Sequence, residues 1–324
     1  MTLGQLRTFL AVADTGSVRA AAERLVVTQP AVSSALGLLA AEVGVALVAR
    51  DGRGLRLTPA GVTFARHARQ ALGMLEQGVN AATGHDHPER GRLRLAAVTT
   101  AGERIVPRLL ASFRRSYPDA GVVLEVGNRR RVWDLLAHRQ VDLAIGGRPP
   151  AGSPFVTLAT RPNLLVVIAP PSEGSSAGGV RRVGLGELAA ATWLLREPGS
   201  GTRGTTEELL SELELDPRVL TVGSNGAILE SVQVGLGITL LSRDAAGPEL
   251  DKGSLEEWRH GRLPLRREWH LVGRAGEELD PTAVLMVEHL GAAAEGERFD
   301  LRHEGGGRRQ ARPSGQSDSD RSGP

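Results

Sequence analysis

The chain has 324 residues, 41% of them hydrophobic but only 3% aromatic, enough to bury cores of Leu, Val and Ala in about two domains. A sequence pI of about 9.8 accompanies a net charge of only +2, and Lys252 is the only lysine, so the placement of the arginines, not their number, bears on nucleic-acid binding. The absence of cysteine excludes disulfides, thiolate nucleophiles, Cys-based zinc or iron–sulfur sites and a thiol peroxide sensor.

In chain order, Leu3, Leu6, Phe9, Leu10 and Ala13 recur at helical spacing, and Gly16 stops that helix. Ser17 is placed to cap a second helix that buries Ala21, Ala22 and Leu25. Thr28 caps a third, with Pro30 in the first turn, where a missing N–H costs nothing, and Gly44 at its end. Leu47–Arg50 and Leu55–Leu57 flank the turn Asp51–Gly54 and read as a hairpin. Thr58-Pro59 opens a long helix in which Ala65, Ala68, Leu72, Leu75, Val79 and Ala82 form a narrow stripe in steps of three and four, the pattern of a helix that meets another helix. Residues 84–91 read as a linker.

From Arg92 strands alternate with helices. Strands are expected at 93–98, 122–126, 143–146, 164–169, 192–195, 219–222, 238–241 and 269–272, and helices at 105–115, 132–138, 205–215, 227–234 and 282–293. The pattern predicts an α/β fold with largely parallel sheets. After about residue 295 apolar residues nearly vanish, so 296–324 is expected to be a disordered tail. Met1–Phe9 contains Gln5 and Arg7 and has no signal-peptide character. The longest apolar run, 164–169, is too short for a bilayer, so no membrane partner is expected and a cytoplasmic location is.

The second and third helices form a helix-turn-helix whose latter member offers Thr28, Gln29, Pro30, Ser33 and Ser34 in its first turns. Gln bonds adenine edges, and Ser or Thr reaches several bases. Ser17 starts the preceding helix. Arg50, Arg53 and Arg56 lie in or beside the hairpin and suit phosphate or minor-groove contact. The same geometry also occurs in small helical domains that never touch DNA.

Residues 3–61 resemble the DNA-binding domain of LysR-type transcriptional regulators. The segments that carry the resemblance are Ala21-Ala22-Glu23-Arg24-Leu25, Thr28-Gln29-Pro30-Ala31-Val32-Ser33, Glu42-Val43-Gly44-Val45-Ala46-Leu47 and Leu57-Thr58-Pro59-Ala60-Gly61. The resemblance implies a winged helix-turn-helix over 1–60, a linker and dimerisation helix over 61–90, and a two-lobed α/β domain of periplasmic-binding-protein type over 91–295. Lobe I would comprise 91–160 and 263–295, and lobe II 161–262. It further implies homodimers through the linker helix, often tetramers, on promoter DNA. The third helix departs from the family: Ser34, Gly37, Leu38 and Ala40 stand where longer polar groups are common, leaving more of the recognition to Gln29, Ser33 and the arginines.

Four loops bring small or polar groups to helix starts in the C-terminal part. They carry Thr99 and Thr100, Gly147 and Arg148, Ser200, Thr202 and Arg203, and Asn225. Free N–H groups at helix starts attract anions, and ligands favour the carboxyl ends of strands, so these residues predict a small anionic metabolite as effector, with no cofactor. Ordinary capping explains any one of these loops equally well. The run Arg196–Arg203 also resembles regulators of carbon-fixation and sulfur genes. Hinges are expected near 159–163 and 261–265. Gly199–Gly204 formally matches GxGxxG, the one pointer to a dinucleotide-dependent enzyme, but no strand-ending acid lies about 20 residues on. No HExxH, Walker A or nucleophile-elbow pattern occurs, and the eight histidines show no metal spacing.

Overall fold

A computed structural model describes residues 1–52, 54–84, 86–172, 178–294 and 297–302. Helices α1 (Leu3–Thr15), α2 (Val18–Leu25) and α3 (Gln29–Val43) begin at Thr2, Ser17 and Thr28, whose hydroxyls accept backbone N–H bonds as caps. The chain bends by 107° between α2 and α3, within the range of helix-turn-helix units. Phe9, Leu10, Leu39 and Leu47 form one small core, and Ala11, Ala21, Ala22 and Val32 another. The hairpin β1 (Val48–Asp51) and β2 (Gly54–Leu57) pairs antiparallel and is fastened by the Leu55 N–H to the Gly16 carbonyl at 2.8 Å.

Helix α4 (Pro59–Gly84) divides the expected stripe in two. Ala65 and Ala68 are buried against the helix-turn-helix core and Leu72 packs on it, while Leu75 and Val79 are exposed. Two glycines let α4 pass close to its neighbours. A Cβ on Gly61 would fall 1.9 Å from the Leu47 carbonyl oxygen, and one on Gly73 would fall 2.7 Å from Arg139. Further along, Glu76 and Gln77 of α4 accept bonds from Arg94 (3.1 Å) and Arg139 (3.2 Å), tying the helix to the C-terminal domain.

In that domain a 3-10 turn (Pro88–Arg90) precedes β3 (Arg92–Val98), α5 (Thr99–Arg104), α6 (Val106–Ser116), β4 (Gly121–Gly127), α7 (Arg129–Ala137) and β5 (Leu143–Gly146). Next come β6 (Phe155–Ala169), β7 (Val180–Arg182), α8 (Leu185–Ala190), β8 (Trp193–Leu195), α9 (Gly201–Glu212), β9 (Val219–Thr221), α10 (Asn225–Gln233) and β10 (Thr239–Ser242). The described chain closes with α11 (Arg243–Asp251), β11 (Glu256–Arg259), β12 (Leu265–Arg274), α12 (Pro281–Ala292) and β13 (Asp300–Leu301). Lobe I packs Leu95, Phe113, Trp269, Met286 and Phe299 together. Lobe II packs Val167, Trp193, Leu209 and Leu240, with Ile228 and Leu241 in an adjoining cluster.

Several features differ from the sequence-based expectation. The sheets are mixed: β3 is parallel to β4 and β5, and β8 to β9, but β6 and β12 run antiparallel to each other from Leu265↔Leu165 to Arg274↔Phe155. Strand β6 starts nine residues before the expected 164, because Pro162 and Asn163 in its middle read as a break in sequence. Gly247 and Pro248 likewise hide α11, which contains them.

The lobes are therefore joined by two paired strands. Ala159 and Trp269 belong to the lobe I core, Leu165 and Leu263 to that of lobe II, so the crossing lies at 160–164 and 266–268. The second crossing is a few residues later than expected, because the 261–265 loop packs on lobe II. Residues 297–302, expected to belong to the tail, are folded. Phe299 is fully buried in lobe I and β13 pairs with Thr160 and Ala159 of β6. One aromatic in a polar segment does not register in composition. The remainder of the expected tail, 303–324, lies outside the described residues.

Candidate functional site

Gln29, Pro30, Ser33 and Ser34 are exposed along one edge of α3, while Val32 and Leu39 face inward. Among the described residues no partner holds the side chains of Gln29, Ser33 or Ser34, which leaves them available to base edges. Ser17 and Thr28 are committed as caps, at 3.4 Å to the Ala20 and Ala31 N–H groups. Each hydroxyl keeps its own proton to donate. Arg50 and Arg56 project from the hairpin, exposed and without an ion pair to a described residue. Arg53 lies outside the described residues.

The lobes enclose a cavity of about 760 Å³, within the usual range for small-molecule sites. Of the eight effector residues expected from sequence, Thr99, Thr100, Gly147, Arg148, Ser200 and Thr202 line it. Arg203 and Asn225 do not. Arg203 turns away to Glu207 (2.7 Å), the Arg196 carbonyl (2.9 Å) and Thr221 (3.3 Å), and so braces the loop that carries Arg196. Asn225 is buried between the lobes and bonds Thr100, Glu103 and Arg196.

The local chemistry of the wall is anion-seeking. Ser200 sits at the N-cap of α9, yet its side chain makes no capping bond, so its hydroxyl and the first N–H groups of α9 are open to the cavity. Five arginines line the space (Arg129, Arg148, Arg196, Arg266 and Arg267) against three glutamates (Glu197, Glu208 and Glu268). Arg196 is held by Glu197 at 2.8 and 3.0 Å, and Arg129 donates to the Arg148 carbonyl at 2.8 Å. The guanidinium groups of Arg148 and Arg266 have no ionic partner among the described residues. Burial holds His270 below the ordinary imidazole range; Glu268 opposes that shift, while Arg302 and Arg148 reinforce it.

Sequence reasoning missed Arg129, Arg196, Asn163, Ser242, Trp269, His270 and the pair Arg266-Arg267. Arg196 carried a usable signal, since it immediately follows β8 at a strand's carboxyl end. Arg266, Arg267 and His270 lie on the crossing strand β12, where no local motif marks them. They reach the cavity only because β12 pairs with β6.

Residues 3–62 match the family described as bacterial regulatory helix-turn-helix protein, lysR family, and residues 86–295 match LysR substrate binding domain. The HTH-type transcriptional regulator CbbR of Rhodospirillum rubrum is 37% identical over 293 residues, which cover 90% of this chain and 96% of that protein. The regulatory domain of Synechocystis PCC6803 CcmR, solved in complex with 2-PG, shares 30% identity at a TM-score of 0.56, covering 63% of this chain and 98% of that one. Full-length CbnR in complex with its target DNA superposes with a TM-score of 0.66 at 24% identity, covering 91% of this chain and 100% of that one.

Proposed function

The chain belongs to the LysR family of bacterial transcriptional regulators, and on that premise we propose that it is a cytoplasmic homodimeric or tetrameric regulator responding to a small phosphorylated or carboxylated anion. The observation that carries the effector class is the arginine surplus of the cleft together with the uncapped start of α9 at Ser200. The 2-PG bound by the CcmR domain fits that chemistry and is the first compound to try. In this reading Arg148, Ser200, Thr202 and Thr99 hold the anion, with Arg129, Arg266 and His270 completing the wall. The family's regulatory role makes the dinucleotide-enzyme alternative redundant: Gly199, at φ +91°, is explained by the tight turn before α9.

On the DNA side, Gln29, Ser33 and Ser34 read bases in the major groove, and Arg50, Arg53 and Arg56 contact backbone. The exposed half of α4, with Leu75 and Val79, supports pairing of two chains. Dimerisation brings two charge-poor reading helices onto one operator, so each compensates for the other's weak hold.

Gel-shift titration against DNA from the chain's own upstream region tests the first part. Binding should fall steeply with salt. Arg56→Ala should weaken all sequences alike and flatten the log–log salt slope by about 1. Calorimetric titration with 2-PG tests the second: Arg148→Ala and Ser200→Ala should each weaken binding while leaving DNA affinity intact. A folded dimer that binds no promoter DNA at low salt removes the regulator reading of this chain, and unaltered 2-PG affinity in both variants moves the anion site elsewhere.

A further inference from the structure

Asn225, the first residue of α10 in lobe II, is 1% exposed. Its Nδ2 donates to Thr100 Oγ1 at 3.1 Å and to Glu103 Oε2 at 3.2 Å, both on α5 of lobe I. Its Oδ1 accepts from Nη1 of Arg196, a residue of lobe II that is itself 4% exposed. Capping of α10 does not need this side chain, because Ser224 Oγ accepts the Ala227 N–H at 3.2 Å. Both N–H donors of a buried amide thus cross between the lobes, while its oxygen accepts from an arginine of the cleft wall. A second contact from α5 to lobe II, Arg104 to Glu249 at 3.4 Å, comes from the residue after Glu103.

We propose that Asn225 is the positioning residue that couples occupancy of the cleft to closure of the lobes, a step that rests on reading the cleft as the effector site. Thr100 and Arg196 both line the cavity, one from each lobe, and both are oriented by the same amide. Parting the lobes breaks the Thr100 and Glu103 bonds together and hands both amide donors to water. The orientation of Arg196 and the joining of the lobes are therefore linked. An anion that needs groups from both lobes binds the joined arrangement better, and that difference in affinity is what shifts the equilibrium.

The chain has no cysteine, so Ser116→Cys at the end of α6 and Asp216→Cys after α9, both exposed, report the distance between lobes by spin-label pairs without background. In the ligand-free full-length protein, Asn225→Asp sets a carboxylate against Glu103, and the distance distribution lengthens and broadens. Adding Glu103→Gln supplies a donor to that carboxylate and restores the distribution, a rescue that a side chain serving only to fill space would not show. Asn225→Ser, smaller and neutral, gives an intermediate lengthening and stands in if the aspartate variant does not fold. A distribution unchanged by Asn225→Asp and Asn225→Ser, or not restored by Glu103→Gln, overturns the proposal. With 2-PG, the parent distribution narrows and the Asn225→Asp variant binds at least tenfold more weakly. A parent that ignores 2-PG counts against that compound as effector and leaves the ligand-free result standing.

Discussion

Val26 links α2 to α3 at φ 57°, ψ 47°, the left-handed region, and its side chain is 90% exposed. A β-branched residue is strained there, whereas Asn and Gly adopt the region at little cost. No buried contact compensates. Val26→Asn should therefore raise unfolding free energy by about 1 kcal/mol in a urea titration. Unaltered stability would mean that the turn relaxes in solution. At the same scale, the exposed placement of Gln29 and Ser33 on α3 and of Arg148 in the cleft wall was legible, because a motif or a strand end flags each one. His270 and Arg267 were not, since only the pairing of distant strands brings them to the cleft.

Helices show how far periodicity carries. The stripe on α4 is real, but periodicity cannot say which partner each part meets; its first half turned out to close its own domain. Helix α12 adds a case in which charge, not packing, sets stability. Asp280 stands at its N-cap without making a capping bond, and its Oδ2 is buried with no hydrogen-bond partner among the described residues. Burial raises its pKa from 3.8 to about 6; the neighbouring Asp142 pushes the same way, against Arg94 and Arg274. A carboxyl whose folded pKa exceeds its unfolded value holds more protons when folded, so its contribution falls as pH rises from about 4 to about 6 and is flat above. Asp280→Asn should thus stabilise the protein at pH 7.5 by on the order of 1 kcal/mol and by much less at pH 4, in paired denaturant titrations. An equal gain at both pH values would remove titration as the cause.

At the scale of the molecule, the order of domains followed from short capped helices giving way to strand–helix alternation. Helix spacing is local, so it survives in sequence. The antiparallel β6–β12 spine is a contact between segments about a hundred residues apart, and Pro162 masks one of its members. For that reason the two lobes and, to within a few residues, their hinges were legible, while the pairing of the two crossing strands was not. The same pairing puts both crossings in continuous, hydrogen-bonded strands, so relative motion of the lobes is expected as a twist of the pair and not as the swing of a loop.

Phe299 bears on where this sensor can be cut. The LysR substrate-binding match stops at residue 295, yet the folded unit continues to Arg302: Phe299 fills lobe I, β13 closes an edge of β6, and Arg302 reaches Glu268 in the cleft wall at 3.4 Å. Phe299→Ala should cost roughly 3 kcal/mol in chemical denaturation, the usual loss when a large aromatic leaves a tight core. A loss under about 0.5 kcal/mol would show that lobe I collapses around the gap. To graft the sensor onto another DNA-binding head, or to append a reporter, the splice belongs after residue 302; a junction at 296 would excise a side chain of the interior along with what looks, in sequence, like dispensable tail.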